Sequence, residues 1–169
     1  RLVMGPALTV PYRCNFATDD QFALWNVTDA NNDEYTWKRE TTLAAAYYSY
    51  NEDGETGGDD WLVSSPIHLE KDKIYRLKFQ SYDVGYPEKV AVHLGTEASV
   101  TEQTTLLGDY EIESNTFVEY KVILPERLES GNYHISFHCH SEPYMFILYV
   151  TDVLLEEVSE GVLSGVVTN

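Results

Sequence analysis

The chain has 169 residues, 28 of them Asp or Glu against 11 Lys or Arg, giving a formal charge of −17. That length suits one domain with a substantial core and is short for two, while the negative field repels phosphate backbones and excludes nucleic acid as a partner. Hydrophobic residues make up 43% of the chain, too many for a disordered polar chain, and the 13 tyrosines favour pleated strands.

No apolar run approaches the roughly 20 residues that a membrane-spanning helix needs, so no transmembrane segment is expected. The opening "RLVMGPALTV" is not a signal peptide, and its Arg start reads as a piece of a longer polypeptide cut at a domain border. Residues 1–9 read as an N-terminal flank and 10–158 as the domain. The small, polar "SEGVLSGVVTN" (159–169) reads as a linker to a following module.

Along the chain, "TTLAAAYYSY" (41–50) is ambiguous at its alanines, but its Tyr and Ser ending tilts it towards a strand. Period-two alternation then recurs. In "IYRLKFQSY", Tyr75, Leu77 and Phe79 share one face, and in "KVAVHLG" Val90, Val92 and Leu94 align. In "FVEYKVIL" Val118, Tyr120, Val122 and Leu124 align. In "NYHISFHC" Ile135, Phe137 and Cys139 are expected inside, with His134, Ser136 and His138 outside. "YMFILYV" is apolar on both faces, as a central strand is. Breakers such as "NEDGETGGDD", "VGYPEK" and "PERLESGN" separate these runs. The sum is an all-β fold, a jelly-roll β-sandwich of about ten antiparallel strands, galactose-binding-like or MAM-like. The two cysteines, Cys14 and Cys139, fall on expected strands, and sequence alone does not choose between packed thiols and one bridge.

The chemistry concentrates in acidic loops. "DANNDEYTW" sets Asp29, Asn31 and Asp33 at every second position, the oxygen spacing by which a short loop meets a hard cation. Glu40 would complete an EF-hand, but Glu34 stands where that loop wants Gly, and no paired amphipathic helices flank it. An irregular β-loop calcium site and an ordinary polar turn both remain open. "GGDDWLVSSPIHL" places Asp59 and Asp60 directly before a Trp-led strand, and Asp152 near the last strand is a further acid that would need a partner if it faced inward. His134, His138 and His140 share a strand face but lack an evident fourth zinc ligand. No catalytic motif is visible, and the acids are not paired as a glycosidase requires, so no enzyme is expected.

Five segments in this order resemble the cleaved-adhesin, or choice-of-anchor J, jelly-roll modules of gingipain-type haemagglutinin adhesins. "PYRCNF" is followed by "DQFALW"; "DANNDEYTW" is similar to that family's D-x-D-x-D-x-x-x-W loop; "DDWLVSSPIHL" is similar to its D-N-W-L-I-S-P pattern; and "FILYVTDVLLEEV" is similar to its closing strand. The resemblance spans residues 10 to 157. It implies a module of a secreted or cell-surface multi-domain protein with structural calcium. Asp29, Asn31 and Asp33 match the acidic loop, Asp59 the first acid before the Trp strand, and Asp152 the closing acid. Asn31 replaces an Asp, Glu34 a Gly, and Asp60 stands where Asn is usual.

The expected function is therefore noncatalytic adhesion or binding, with calcium holding the loops. The partners would be a host or extracellular protein or glycan, or neighbouring domains of the same chain. The alternative is a carbohydrate-binding module of a polysaccharide-degrading system, stacking sugars on aromatics such as Trp25, Trp37, Tyr86 or Tyr144. Trp37 and Trp61 are expected in the core.

Overall fold

A computed structural model of the chain describes residues 6–126 and 128–159. Most of the C-terminal linker expected at 159–169 therefore lies outside the described residues. Two antiparallel sheets pack face to face as a sandwich. Their strands are β1 (Tyr12–Cys14), β2 (Asn26–Asp29), β3 (Lys38–Glu40), β4 (Ala45–Ser49), β5 (Asp60–Val63) and β6 (Ile67–Leu69). Beyond them along the chain come β7 (Ile74–Asp83), β8 (Glu88–Gly95), β9 (Thr105–Ile112), β10 (Val118–Ile123), β11 (Gly131–Cys139) and β12 (Ile147–Val158). One short helix, α1 (Asp19–Ala23), is capped by Thr18, whose hydroxyl accepts the Gln21 N–H. The first sheet runs β10-β7-β12-β4-β3, with β1 on β12; the second runs β2-β5-β11-β8-β9, with β6 on β11. Leu8, in the stretch read as flank, bridges Ile67 in parallel and exchanges backbone hydrogen bonds with Pro66 and His68.

The alternating faces meet between the sheets. Tyr75, Leu77 and Phe79 of β7 are buried, as are Val90, Val92 and Leu94 of β8 and Ile135, Phe137 and Cys139 of β11. Phe79 and Phe137 join the layers, their ring centres 5.1 Å apart at 71°. The ambiguous alanine run is strand β4, which pairs with β12 in the middle of its sheet. There Tyr47 and Tyr48 point to opposite faces of the strand, and the helix propensity of the alanines is overridden.

Two expectations need correction. His134 and Ser136 of β11 are buried, not open to solvent. Two segments meet that face: Gln103, after β8, accepts the Ser136 hydroxyl at Oε1 (2.8 Å), and the turn after β5 meets His134, whose Nδ1 lies 2.7 Å from Ser64 O. On β10, Val118 is exposed and only Leu124, just past the strand, is fully buried, because β10 is an edge strand. Cys14 and Cys139 are buried and unbridged. No helix among the described residues is long and apolar enough to cross a membrane.

Candidate functional site

The acidic loop between β2 and β3 folds on its own carboxylates. Asp29 Oδ1 accepts the Asp33 N–H at 3.2 Å and Oδ2 the Glu34 N–H at 2.7 Å, while Asp33 Oδ1 accepts the Tyr35 N–H at 3.0 Å. These local bonds draw the loop into a tight curl in which Asn32 (φ 54°) and Glu34 (φ 70°) take the left-handed conformation. Glu34 thus adopts the backbone that a glycine would adopt more easily. Trp37, ending the motif, is buried, and its indole N–H donates to Asp60 O at 3.0 Å. The Trp anchors the acidic loop to the start of β5.

That anchoring and the β2–β5 ladder, in which Asp29 faces Asp60 directly, bring distant acids together. Carboxylate oxygens of Asp29, Asp33 and Asp60 lie within 4.8 Å of one another, the one such group of metal-ligating side chains among the described residues. Asp60 is completely buried. Its Oδ2 accepts the Asp59 N–H at 3.0 Å, whereas Oδ1 is buried with no hydrogen-bond partner. Burial above all, and then the charges of Asp29 and Asp33, push the Asp60 carboxyl up to about 7. The Asp59 N–H pulls the other way, as does the Thr36 hydroxyl, itself buried without a hydrogen bond of normal geometry. The Asn31 amide donates to Gly57 O at 3.0 Å, and its Oδ1 is also buried without a partner. A hard divalent cation takes oxygen donors of this kind, carboxylate and amide together, so the residues fit calcium.

The other two acids singled out in sequence are placed elsewhere. Asp59 is one residue before Asp60, so the pleat turns it to the opposite face of β5, with Trp61. There its Oδ1 lies 2.8 Å from His138 Nε2, and Trp61 stacks on the His138 ring at 4.0 Å and 12°. Asp152 sits at a bulge of β12 between Thr151 and Leu154, where the neighbouring strand changes from β4 to β1. Its φ of 49° leaves the side chain exposed, lining a shallow hollow with Arg13, Asn15 and Gln21. Glu40 accepts the Thr42 N–H and closes a turn after β3. The histidine row is split: His134 is buried, and His140 Nε2 lies 2.8 Å from Asp109.

Sequence reasoning missed Asn51, whose amide donates to Asp33 Oδ2 at 3.1 Å. It stood in a loop rich in turn residues, and only its distance to Asp33 in space marks it. The 51–58 loop is held on its other side by the turn after β11, where the Gly58 N–H donates to Ser141 O at 2.9 Å. A Cβ on Gly57 would come within 2.8 Å of that same oxygen, so only glycine permits the approach. Beside this loop, Tyr50, Tyr86, Tyr144, Met145 and Phe146 line a hollow of about 280 Å³. Of the aromatics named from sequence, Tyr86 and Tyr144 are exposed, whereas Trp25 and Trp37 are core. Trp25 packs on Phe16 and Phe137 and donates to the Tyr12 hydroxyl. The loop carrying Tyr144 is fixed by Glu88, which is fully buried and accepts the Ser141 hydroxyl at 2.6 Å and the Phe146 N–H at 2.7 Å.

No protein-family model matches the sequence, and no curated protein matches it either. Solved structures do match. The K1 cleaved adhesin domain of Lys-gingipain from Porphyromonas gingivalis is 19% identical, with a TM-score of 0.71 over 89% of this chain and 99% of that one. The K3 cleaved adhesin domain of the same protein is 17% identical, with a TM-score of 0.66 over 86% and 96%. The CBM22-2 xylan-binding domain of Paenibacillus barcinonensis is 10% identical, with a TM-score of 0.54 over 87% and 99%. In fold this chain is a jelly-roll sandwich of the cleaved-adhesin kind, an architecture it shares with carbohydrate-binding modules.

Proposed function

We propose that this chain is a noncatalytic binding module of a secreted or cell-surface multi-domain protein, with its acidic loops held by calcium. The carrying observation is Asp60: a fully buried carboxyl with one orphaned oxygen, facing two further carboxylates. Three such groups repel one another when ionised, and a buried charge without a partner is costly. Calcium would neutralise that charge. Asp29, Asp33 and Asp60 would hold it, and the unpartnered Asn31 Oδ1 of the same loop would serve as an amide donor. The chain's own contribution is to tie the site to the loops around it: Asn51 to Asp33, Asn31 to Gly57 and Trp37 to Asp60. Occupancy of the site would therefore rigidify the 51–58 loop as well as the 29–36 loop.

The likeness to adhesin and carbohydrate-binding domains supports binding rather than catalysis, and the likeness in fold to adhesin domains supports a secreted or cell-surface location. The test is thermal melting of the purified, chelator-treated domain with added calcium, alongside metal analysis of the untreated protein. A rise in melting temperature that Asp60→Asn abolishes is expected. An unchanged melting temperature at millimolar calcium, with no metal in the purified protein, would overturn the calcium reading. Between adhesion to protein and binding of glycan, the exposed tyrosines of the aromatic hollow favour glycan as the partner.

A further inference from the structure

We infer that the hollow between Tyr50, Tyr86 and Tyr144 is a stacking site for a neutral saccharide, taking a terminal sugar or a disaccharide unit. The inference rests on the reading of the domain as a noncatalytic binding module and names its ligand class. Tyr144 and Tyr86 are 63% and 54% exposed, the first and third most exposed large hydrophobic side chains described, and both border one concavity. Folding has no use for two such rings in water, whereas sugar recognition does: a sugar's C–H face packs on a ring and its hydroxyls meet the phenol.

The rings are held in place. Tyr50 packs edge-on against Tyr144 (5.8 Å, 69°) and Phe146 (5.5 Å, 77°), and Tyr86 stands at 90° to Phe146. Tyr144 is kept at φ 64°, a conformation unfavourable for a bulky residue, in a loop whose neighbours Ser141 and Phe146 are clamped by Glu88. A rigid aromatic surface loses little entropy on binding.

Charge and size narrow the ligand. No lining residue is charged, while Glu52, Asp53, Glu55 and Glu142 stand on the two loops that carry Tyr50 and Tyr144. An anionic ligand would be repelled, and a cationic one would find no carboxylate in the hollow itself. At about 280 Å³ the hollow is near the lower bound of small-ligand sites, roughly 300 Å³, and it is a concavity, not a flat face. A stable protein interface needs roughly 800 Å² from each partner, far more than these few rings offer.

The experiment titrates the folded domain with lactose, xylohexaose, cellohexaose, mannohexaose and, as an anionic control, hexagalacturonate, in calcium and in EDTA. Binding is followed by calorimetry and by methyl resonances of Met145, and melting temperature is recorded for every sample. At least one neutral sugar should bind, the anionic control should not, and Tyr144→Ala and Tyr86→Ala should each weaken binding at least tenfold. Tyr144→Phe, which keeps the ring, should stay within a few fold. Binding by none of the neutral sugars, or binding unaffected by both alanine variants, or preference for hexagalacturonate, would each overturn the proposal. A calcium-dependent melting shift without sugar binding sinks the saccharide site alone. Sugar binding without any calcium-dependent shift sinks only the calcium reading.

Discussion

Asp60 and Glu88 are both fully buried carboxyls, and burial pushes both up to about 7. Their surroundings differ. Glu88 has a donor for each oxygen, the Ser141 hydroxyl and the Phe146 N–H, and so serves as a strut for the aromatic loop. Asp60 has one hydrogen bond of normal geometry for two oxygens, with the Thr36 hydroxyl poorly placed to serve the second, and two carboxylates nearby. Burial alone therefore does not mark a binding site. What distinguishes Asp60 is a deficit of donors combined with an excess of like charge, which a cation corrects and a protein hydrogen bond at one oxygen does not.

The largest expected separation is the response to calcium. At a hundred times its dissociation constant a ligand stabilises the fold by about 2.7 kcal/mol, on the order of 5–10 °C in melting temperature for a domain of this size. Asp60→Asn should abolish that shift while raising the melting temperature of the metal-free protein, since it removes a buried charge. Glu88→Gln should leave the calcium shift intact. In the amide, an NH2 group faces one of the two donors, so a loss of about 1–3 kcal/mol is expected in chemical denaturation.

The pH dependence of the metal-free protein comes next. Both carboxyls are raised in the fold, so the folded state binds protons more tightly than the unfolded chain. The stability they contribute is complete below the ordinary carboxylate range and is lost as pH rises through about 7. Metal-free melting temperature should therefore fall between pH 5 and pH 8. Saturating calcium should remove the Asp60 share of that fall, and Glu88→Gln the remainder. A flat metal-free profile would count against both carboxyls being raised.

Smaller effects sharpen the contrast between adjacent acids. Asp59→Asn, on the far face of β5 beside His138, should cost at most about 1 kcal/mol and leave the calcium shift unchanged. An Asp59 variant that lost the calcium response would reverse the assignment of the two residues. The smallest change expected is from Glu34→Gly, which relieves a left-handed backbone worth about 1 kcal/mol and gives back part of that in chain entropy. A rise of at most a few degrees should be seen, and a fall would mean that the Glu34 side chain contributes contacts of its own.

Much of this was legible along the chain. The alternation of Tyr75, Leu77 and Phe79, or of Val90, Val92 and Leu94, placed those residues inward because strand geometry is local. The curl of Asp29 to Tyr35 was legible for the same reason: its bonds join residues two to five apart. His134 and Ser136 were misplaced because the segments that meet them, at Ser64 and Gln103, come from other parts of the chain, and a period-two pattern says which residues share a face, not what lies over it. Trp37 was expected in the core and lies there, but Trp25 could not be told from Tyr86 and Tyr144 by residue type. The two tryptophans end inside because their N–H groups find the Tyr12 hydroxyl and Asp60 O there.

The amino-acid order by itself determined the β-rich sandwich, its acidic character and the loop of alternating oxygens, since each arises from near-neighbour patterns and composition. Only the tertiary structure decided that Asp60 and not Asp59 completes the acidic group, that Asp152 stands apart and that Tyr50 joins Tyr144. Those outcomes depend on strand register, a bulge and the packing of one loop on another. Register has a period of two, so a shift of one residue exchanges one face of a strand for the other, and nothing within a single strand sets which face the neighbouring sheet will meet.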